Sequence, residues 1–360
     1  MNNSSQAPGE TSGSRCQASS RCRVPMQRIP RLRAALSANP VGLKRFIVAA
    51  FLLILTLPSG GLGTEPAGPG PAATLPELRM AFSQLLFREF SVEEGLAATR
   101  TWLHTLGKSR SVFRSSKTFL VDGIEGFVQA GSDHQFDLAL VSSLEYLQLE
   151  EQFPLVPWFT YQRGGQTGQQ LVLLTQRAQG DASLESLRGK SLIIYANENE
   201  ELAFLWLETL LMERNLPGIE DFFGIVKTSA KPSLAVLPVY FGRNDACIVT
   251  HEAFTVMSEL NPQVPNKLVT LETSPPLMPV VLFAHKNSDL WLLEQVHWSL
   301  STAHESTWAQ QVLMAFRLKK LDAFDPALFE NVRKLVQRHR FLSHKSSVAN
   351  QAAFLNRREQ

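Results

Sequence analysis

The chain has 360 residues, 44% of them hydrophobic, and a formal charge of +2. That near balance hides an asymmetry, because residues 1–63 hold eight of the 35 basic side chains and one of the 33 acidic ones; residues 64–360 therefore carry 27 against 32, a net of −5. An acidic folded part excludes a nucleic-acid binder, which needs basic residues massed on one face to neutralise phosphates.

The basic character belongs to the N-terminal segment. Lys44-Arg45 abuts the apolar run Phe46–Leu57, and the small residues Pro58-Ser-Gly-Gly-Leu-Gly63 follow. A charged stretch, a short apolar core and small residues make a secretory signal. Twelve apolar residues fall short of the ~17–25 of a spanning helix, so residues 1–63 read as a cleaved signal, with an uncleaved anchor as the alternative and Met26 as an alternative start. Cys16 and Cys22 leave with the signal. Cys247 then stands alone in an apolar strand, where it reads as a core residue and not half of a disulfide.

Residues 64–75, dense in Gly, Pro and Ala, read as an extended linker. Leu78–Phe82 has the pattern of a strand, and Ser91-Val-Glu-Glu94 carries a capping-box spacing that opens a helix to about Leu106. A strand near 112–119, a helix over 122–130 and the strand Phe136–Val141 complete three rounds of strand and helix, the signature of an α/β sheet covered on both faces. The strands Trp158–Tyr161 and Gln170–Gln176 bracket Arg163-Gly-Gly-Gln-Thr-Gly168, which lacks the Gly-Lys-Ser/Thr ending of a phosphate loop and reads as a turn.

Beyond it, Ser191–Ala196 is a strand, and Leu202, Leu205, Leu207, Leu210 and Leu211 recur at helical spacing behind it. A strand near 223–226, a helix from about Pro232, and the strands 246–250, 268–271 and 278–283 follow. Helices at about 288–302, 306–316 and 326–340 close the chain, and the basic tail 346–360 reads as frayed.

Two segments echo each other: Asp137-Leu-Ala-Leu-Val-Ser-Ser-Leu-Glu-Tyr146 and Asp245-Ala-Cys-Ile-Val-Thr-His-Glu-Ala-Phe254. Each is an aspartate, an apolar run, a hydroxylated residue at the strand's end and a helix start. Hydroxyls at the carboxyl ends of buried strands are where open α/β sheets gather ligand contacts. The echo suggests two similar lobes facing across a cleft; two core strands of one domain are the plainer alternative.

Several stretches taken in order, Phe136–Leu147, Leu171-Val-Leu-Leu-Thr175, Ser183-Leu-Glu-Ser-Leu-Arg-Gly-Lys190 with Ser191–Ile194, Gly242-Arg-Asn-Asp-Ala-Cys-Ile-Val249 and Ser274-Pro-Pro-Leu-Met-Pro279, resemble the phosphate/phosphite/phosphonate-type periplasmic solute-binding proteins of ABC transporters. The resemblance covers about residues 76–325. It implies a two-lobed α/β fold of the type II periplasmic-binding-protein (Venus flytrap) class. In that fold each lobe is a mainly parallel sheet flanked by helices, and two crossover strands join the lobes. Lobe I would take 76–177 and 279–345, and lobe II 178–278.

Carried over by position, the family's ligand contacts fall on Ser83, Ser142, Ser143 and Tyr146 in lobe I. In lobe II they fall on Asn197 and Asn199 at a helix start and on Ser229 and Lys231 in the loop after the next strand. Here that helix start reads Asn197-Glu-Asn-Glu-Glu201, whose glutamates compete with an anion for the same N–H groups. This favours a neutral, zwitterionic or amine-bearing solute over a bare oxyanion. Lys231 is a point-charge partner for a ligand, a partner for Glu198 or Glu200, or a solvated surface lysine.

The implied function is capture of a small polar solute by hinge closure and delivery to an inner-membrane permease of an ABC transporter, by a monomeric periplasmic protein with no cofactor. The alternative is a periplasmic sensor or partner-binding domain of the same fold that signals to a membrane receptor. Enzymatic signatures are missing: there is no Gly-x-Ser-x-Gly elbow, His-Glu-x-x-His, Cys-x-x-Cys or dinucleotide fingerprint. His297 and His304 have no third ligand nearby in sequence, which argues against zinc.

Overall fold

A computed structural model describes residues 75–87, 91–162, 165–177, 183–196, 199–315 and 318–356. The expected signal, the linker up to residue 74 and Asn197 lie outside them.

Two sheets organise these residues. The first holds β1 (Glu77–Ser83), β2 (Ser115–Val121), β3 (Leu138–Ser142), β4 (Leu155–Gln162), β10 (Val280–His285) and β11 (Lys320–Ala323), in the order β11-β4-β10-β3-β1-β2. The second holds β5 (Leu171–Gln176), β6 (Ser191–Tyr195), β7 (Ile225–Ser229), β8 (Ala246–Thr250) and β9 (Leu268–Thr273), in the order β7-β6-β8-β5-β9. In each sheet the strand–helix–strand units give parallel pairs, β1 with β2 and β3, and β6 with β7 and β8. The strands next to the lobe crossovers run antiparallel to their neighbours. β5 pairs with β8 and β9, so the lobe boundary expected at residue 177 falls earlier, between β4 and β5.

Helices α1 (Val92–Arg110), α2 (Gly123–Ser132) and α3 (Ser143–Leu149) follow the first three strands of lobe I. Lobe II carries α4 (Glu200–Glu213), α5 (Ile219–Phe222), α6 (Pro232–Tyr240), α7 (His251–Leu260) and α8 (Val264–Lys267). The chain ends in α9 (Leu290–Ser301), α10 (Thr307–Ala315) and α11 (Pro326–Asn356). Side-chain starts fix several of these. The Ser91 hydroxyl accepts from Glu94 N, and the Asp289 carboxylate accepts from Leu292 N at 2.7 Å.

Period-two alternation sorts the lobe I sheet into two faces. Met80, Phe82 and Leu282 pack with Leu103 of α1 and Val296 of α9, whereas Ala81, Val141 and Phe283 pack with Phe127 of α2 and Tyr146 of α3. The second cluster does not stop at the lobe boundary. It continues through Phe329, Val332 and Leu335 of α11 into Leu207 and Leu211 of α4 and Leu173 of β5.

Helix α11 is the largest departure from the sequence reading. Its 31 residues span about 46 Å at 1.5 Å per residue, and the tail 346–360, expected to fray, is helical to Asn356. It starts in lobe I, where Arg333 forms a forked ion pair with Glu150, crosses the hinge where Asn331 Nδ2 donates to the Pro276 carbonyl at 2.9 Å, and reaches lobe II, where Arg338 Nε donates to Glu213 at 2.8 Å. Gly168 allows the crossing: a Cβ there would lie 2.7 Å from Leu328 and 2.9 Å from Pro276.

Candidate functional site

The site is built on strand ends. β1 ends at Ser83 and β3 at Ser142, both buried. Ser142 is the N-cap of α3: its Oγ accepts from Glu145 N at 3.2 Å while Glu145 Oε2 accepts from Ser142 N at 2.8 Å, a reciprocal capping box. Glu145 Oε1 accepts from Ser83 Oγ at 2.6 Å. One buried carboxylate thus takes the donors of two neighbouring strand ends.

The remaining donor points across the lobes. Ser142 Oγ donates to Glu201 Oε2, on the first turn of α4, at 3.4 Å. Ser143, fully buried, donates its hydroxyl to the Met278 carbonyl just ahead of β10. Tyr146 is 3% exposed, its ring among those of Phe283, Phe324 and Phe329 at 5.4–6.1 Å. Burial, with the Glu150 carboxylate adding to it and Arg333 opposing, pushes its phenol to about 12.

In lobe II, Asn199 occupies the N-cap of α4 and is 1% exposed; its Nδ2 donates to Gln169 Oε1 at 2.9 Å. Gln169 lies in one crossover and exchanges backbone hydrogen bonds with Leu277 in the other, at 2.8 and 2.9 Å. Asn199 is thereby tied to the hinge. Ser229 and Lys231 form a local turn into α6, with Ser229 Oγ donating to Lys231 O at 3.2 Å and accepting from Lys231 N at 3.4 Å. The Lys231 residue is exposed. The structure therefore brings Ser83 and Ser142 together through Glu145, keeps Ser143, Tyr146 and Asn199 in packed surroundings, and leaves Ser229 and Lys231 on the surface turn.

Beside these contacts a cleft of about 1020 Å³ opens between the lobes. Leu85, Ile124 and Leu144 line it from lobe I, and Phe204, Leu205 and Ile219 from lobe II. Its acidic lining is Glu145, Glu201, Glu208, Glu220 and Asp221, and Gln148 of α3 and His339 of α11 also line it. Glu208 is held in place by the Ile219 N–H at 3.1 Å. An oxyanion needs inward-pointing N–H and O–H donors; among the described residues this cleft presents mainly carboxylate acceptors over an apolar floor, with Gln148 and His339 as its side-chain donors. Among the described residues no group of three or more His, Cys, Asp or Glu is placed to hold a metal ion.

Glu145 and Glu201 border the cleft and are omitted by the carry-over by position. The sequence does hold a signal for Glu145, since Ser142-Ser-Leu-Glu145 repeats the spacing of Ser91-Val-Glu-Glu94. No local signal brings Glu201 to Ser142, because that contact depends on how the lobes face each other.

Residues 103–329 match the family model described as the ABC transporter, phosphonate, periplasmic substrate-binding protein. No curated protein matches the chain in sequence. Among solved structures, a Xanthomonas citri protein bound to ATP is 13% identical, covers 74% of this chain and 98% of its own, and superposes with a TM-score of 0.54. A binding-protein component of an ABC phosphonate transporter from Pseudomonas aeruginosa is 14% identical, with 79% and 100% covered and a TM-score of 0.51. A Prochlorococcus marinus protein in complex with methylphosphonate is also 14% identical, with 73% and 97% covered and a TM-score of 0.50. At such identities these structures establish a shared fold.

Proposed function

Because the chain belongs to the periplasmic substrate-binding protein family of ABC phosphonate transporters, we propose that it captures an amine-bearing or zwitterionic solute in its interlobe cleft and hands it to an inner-membrane permease. Membership makes it the solute-binding component of an ABC-type uptake system. The solute's charge is the finer reading. It rests on one observation: Glu145 and Glu201 occupy the Ser83 and Ser142 donors that a phosphonate would need. Carboxylates that border a cleft and have their orientation fixed by hydrogen bonds are suited to an ammonium group, with Phe204, Leu205 and Ile124 covering its hydrocarbon portion.

In this reading Ser83 and Ser142 act through Glu145 and Glu201, while Asn199 sets the position of α4. Secretion to the periplasm by the N-terminal signal and a monomeric state complete the proposal. The test is thermal-shift and calorimetric titration of the protein purified from a periplasm without refolding, using ethanolamine, 2-aminoethylphosphonate and methylphosphonate. Binding of the two amines without binding of methylphosphonate is the expected result. Tight methylphosphonate binding by the unaltered protein would overturn the charge assignment.

The second reading, a sensor or partner-binding domain of the same fold, is favoured by α11, which joins the lobes through its own core residues and ion pairs with no solute involved. Native mass spectrometry separates the two. A retained small mass supports capture, whereas a bare protein that also ignores all three probes supports signalling through a partner.

A further inference from the structure

Lobe I contains a second cavity, on the α1 and α9 side of its sheet, that shares no lining residue with the interlobe cleft. It is a half-open pocket of about 150 Å³, walled by Met80, Leu138 and Leu282 of the sheet, Trp102 of α1, and Val296 and Leu300 of α9. Among the described residues no Asp, Glu, Lys, Arg or His lines it. An apolar cavity of about this size admits a guest the size of benzene.

Two wall residues carry an unused polar group. Trp102 Nε1 and Thr160 Oγ1 are buried and have no hydrogen-bond partner among the described residues. Thr99 Oγ1, also on the wall, donates to the Gly95 carbonyl at 2.9 Å. An indole N–H can only donate and a hydroxyl can donate or accept, so an uncharged, mostly hydrocarbon guest that carries an acceptor oxygen can take a hydrogen bond from this wall. A charged solute of the kind suited to the cleft would lose its hydration here with no counter-charge to replace it.

We propose that this cavity is a second binding site, for a neutral single-ring compound bearing one carbonyl or ether oxygen that accepts from the Trp102 indole. The site is independent of the cleft and of the solute bound there.

The experiment uses acetophenone and its hydrocarbon analogue α-methylstyrene, titrated into the purified protein and followed by ligand-observed NMR. Both compounds are expected to saturate a single site, acetophenone about three- to tenfold more tightly, the worth of one neutral hydrogen bond. Trp102→Phe should erase that difference while leaving α-methylstyrene binding unchanged. Val296→Phe should fill the cavity and abolish both. Should Val296→Phe not fold, nuclear Overhauser contacts from the ring protons of acetophenone to the methyls of Leu138, Leu282 and Leu300 in the unaltered protein give an independent placement. Failure of either compound to saturate at millimolar concentration overturns the site, as do contacts to methyls elsewhere. A preference for acetophenone that survives in Trp102→Phe overturns the role of the indole.

Discussion

The two echoed segments are built alike but face different surroundings. Asp137 opens β3 and reaches sideways to β1, accepting from Arg79 N at 2.8 Å and from the Arg79 guanidinium at 2.7 Å. Asp245, just ahead of β8, does the same to β6, accepting from Ser191 N at 2.9 Å and Ser191 Oγ at 2.7 Å. At the other end Ser142 caps α3 and Thr250 caps α7, each accepting from the backbone N–H three residues on, at 3.2 Å. The first helix then buries Ser143, Glu145, Tyr146 and Leu149 against the hinge and cleft, whereas α7 buries none of its residues and leaves Val256 and Leu260 exposed. A short motif thus dictates the strand tie and the helix cap. What stands opposite decides whether the junction has chemistry to do.

The comparison is testable at each matched position. Asp137, with a side chain 4% exposed, sits in a partly buried ion pair, and its replacement by Ala removes the partner of both the Arg79 N–H and its guanidinium, which keeps only its hydrogen bond to the His134 carbonyl; we expect Asp137→Ala to cost about 3 kcal/mol in urea unfolding. Asp245→Ala, at a side chain 42% exposed, should cost about 1 kcal/mol. Equal losses would erase the distinction between the two ties.

Glu145→Ala removes one side of a capping box and the partner of Ser83, an expected loss of about 2 kcal/mol. It also frees donors at the cleft, so the affinity for methylphosphonate should rise in calorimetric titration. The matched change Thr250→Ala should cost about 1 kcal/mol through its cap and alter no solute's affinity.

Smaller still is the Arg338–Glu213 pair, with side chains 49% and 40% exposed; Arg338→Ala should cost less than about 0.5 kcal/mol. The last difference between the lobes is absent at neutral pH. His285, buried at the end of β10 against Phe153 and His134, has its pKa lowered first by burial and then by His134. The unfolded chain then binds a proton that the folded one refuses, so stability should fall as pH drops below the unfolded value of about 6.5 and level off below the folded one. His285→Phe should flatten that region of a pH–stability profile.

Most of the elements were legible because their signals are local. Alternating or continuous apolar runs marked all the strands except β11, whose four residues Lys320-Leu-Asp-Ala323 are too short and polar to stand out. Capping spacings marked helix starts, and the order of motifs marked the two-lobed plan. The candidate site was less legible. Nothing in a seven-residue helix says which side meets the core, and Tyr146, on the turn that follows the capping Ser142, points toward Phe283 and Phe329. The end of α11 was hidden for a different reason. Its apolar spacing fades after Leu342, and the helix persists through a polar stretch that carries no packing signal of its own.

The strap that α11 throws over the hinge also bears on timing. A receptor whose halves swing freely on two strands spends much of its life in arrangements that cannot hold a solute, and its apparent affinity is diluted by that fraction. With Phe329, Val332 and Leu335 bridging both halves, alignment is settled at folding, and the solute no longer has to supply it. Such a protein would be slow to load and slow to let go, and the permease that empties it would have to loosen a helix as well as spread the lobes.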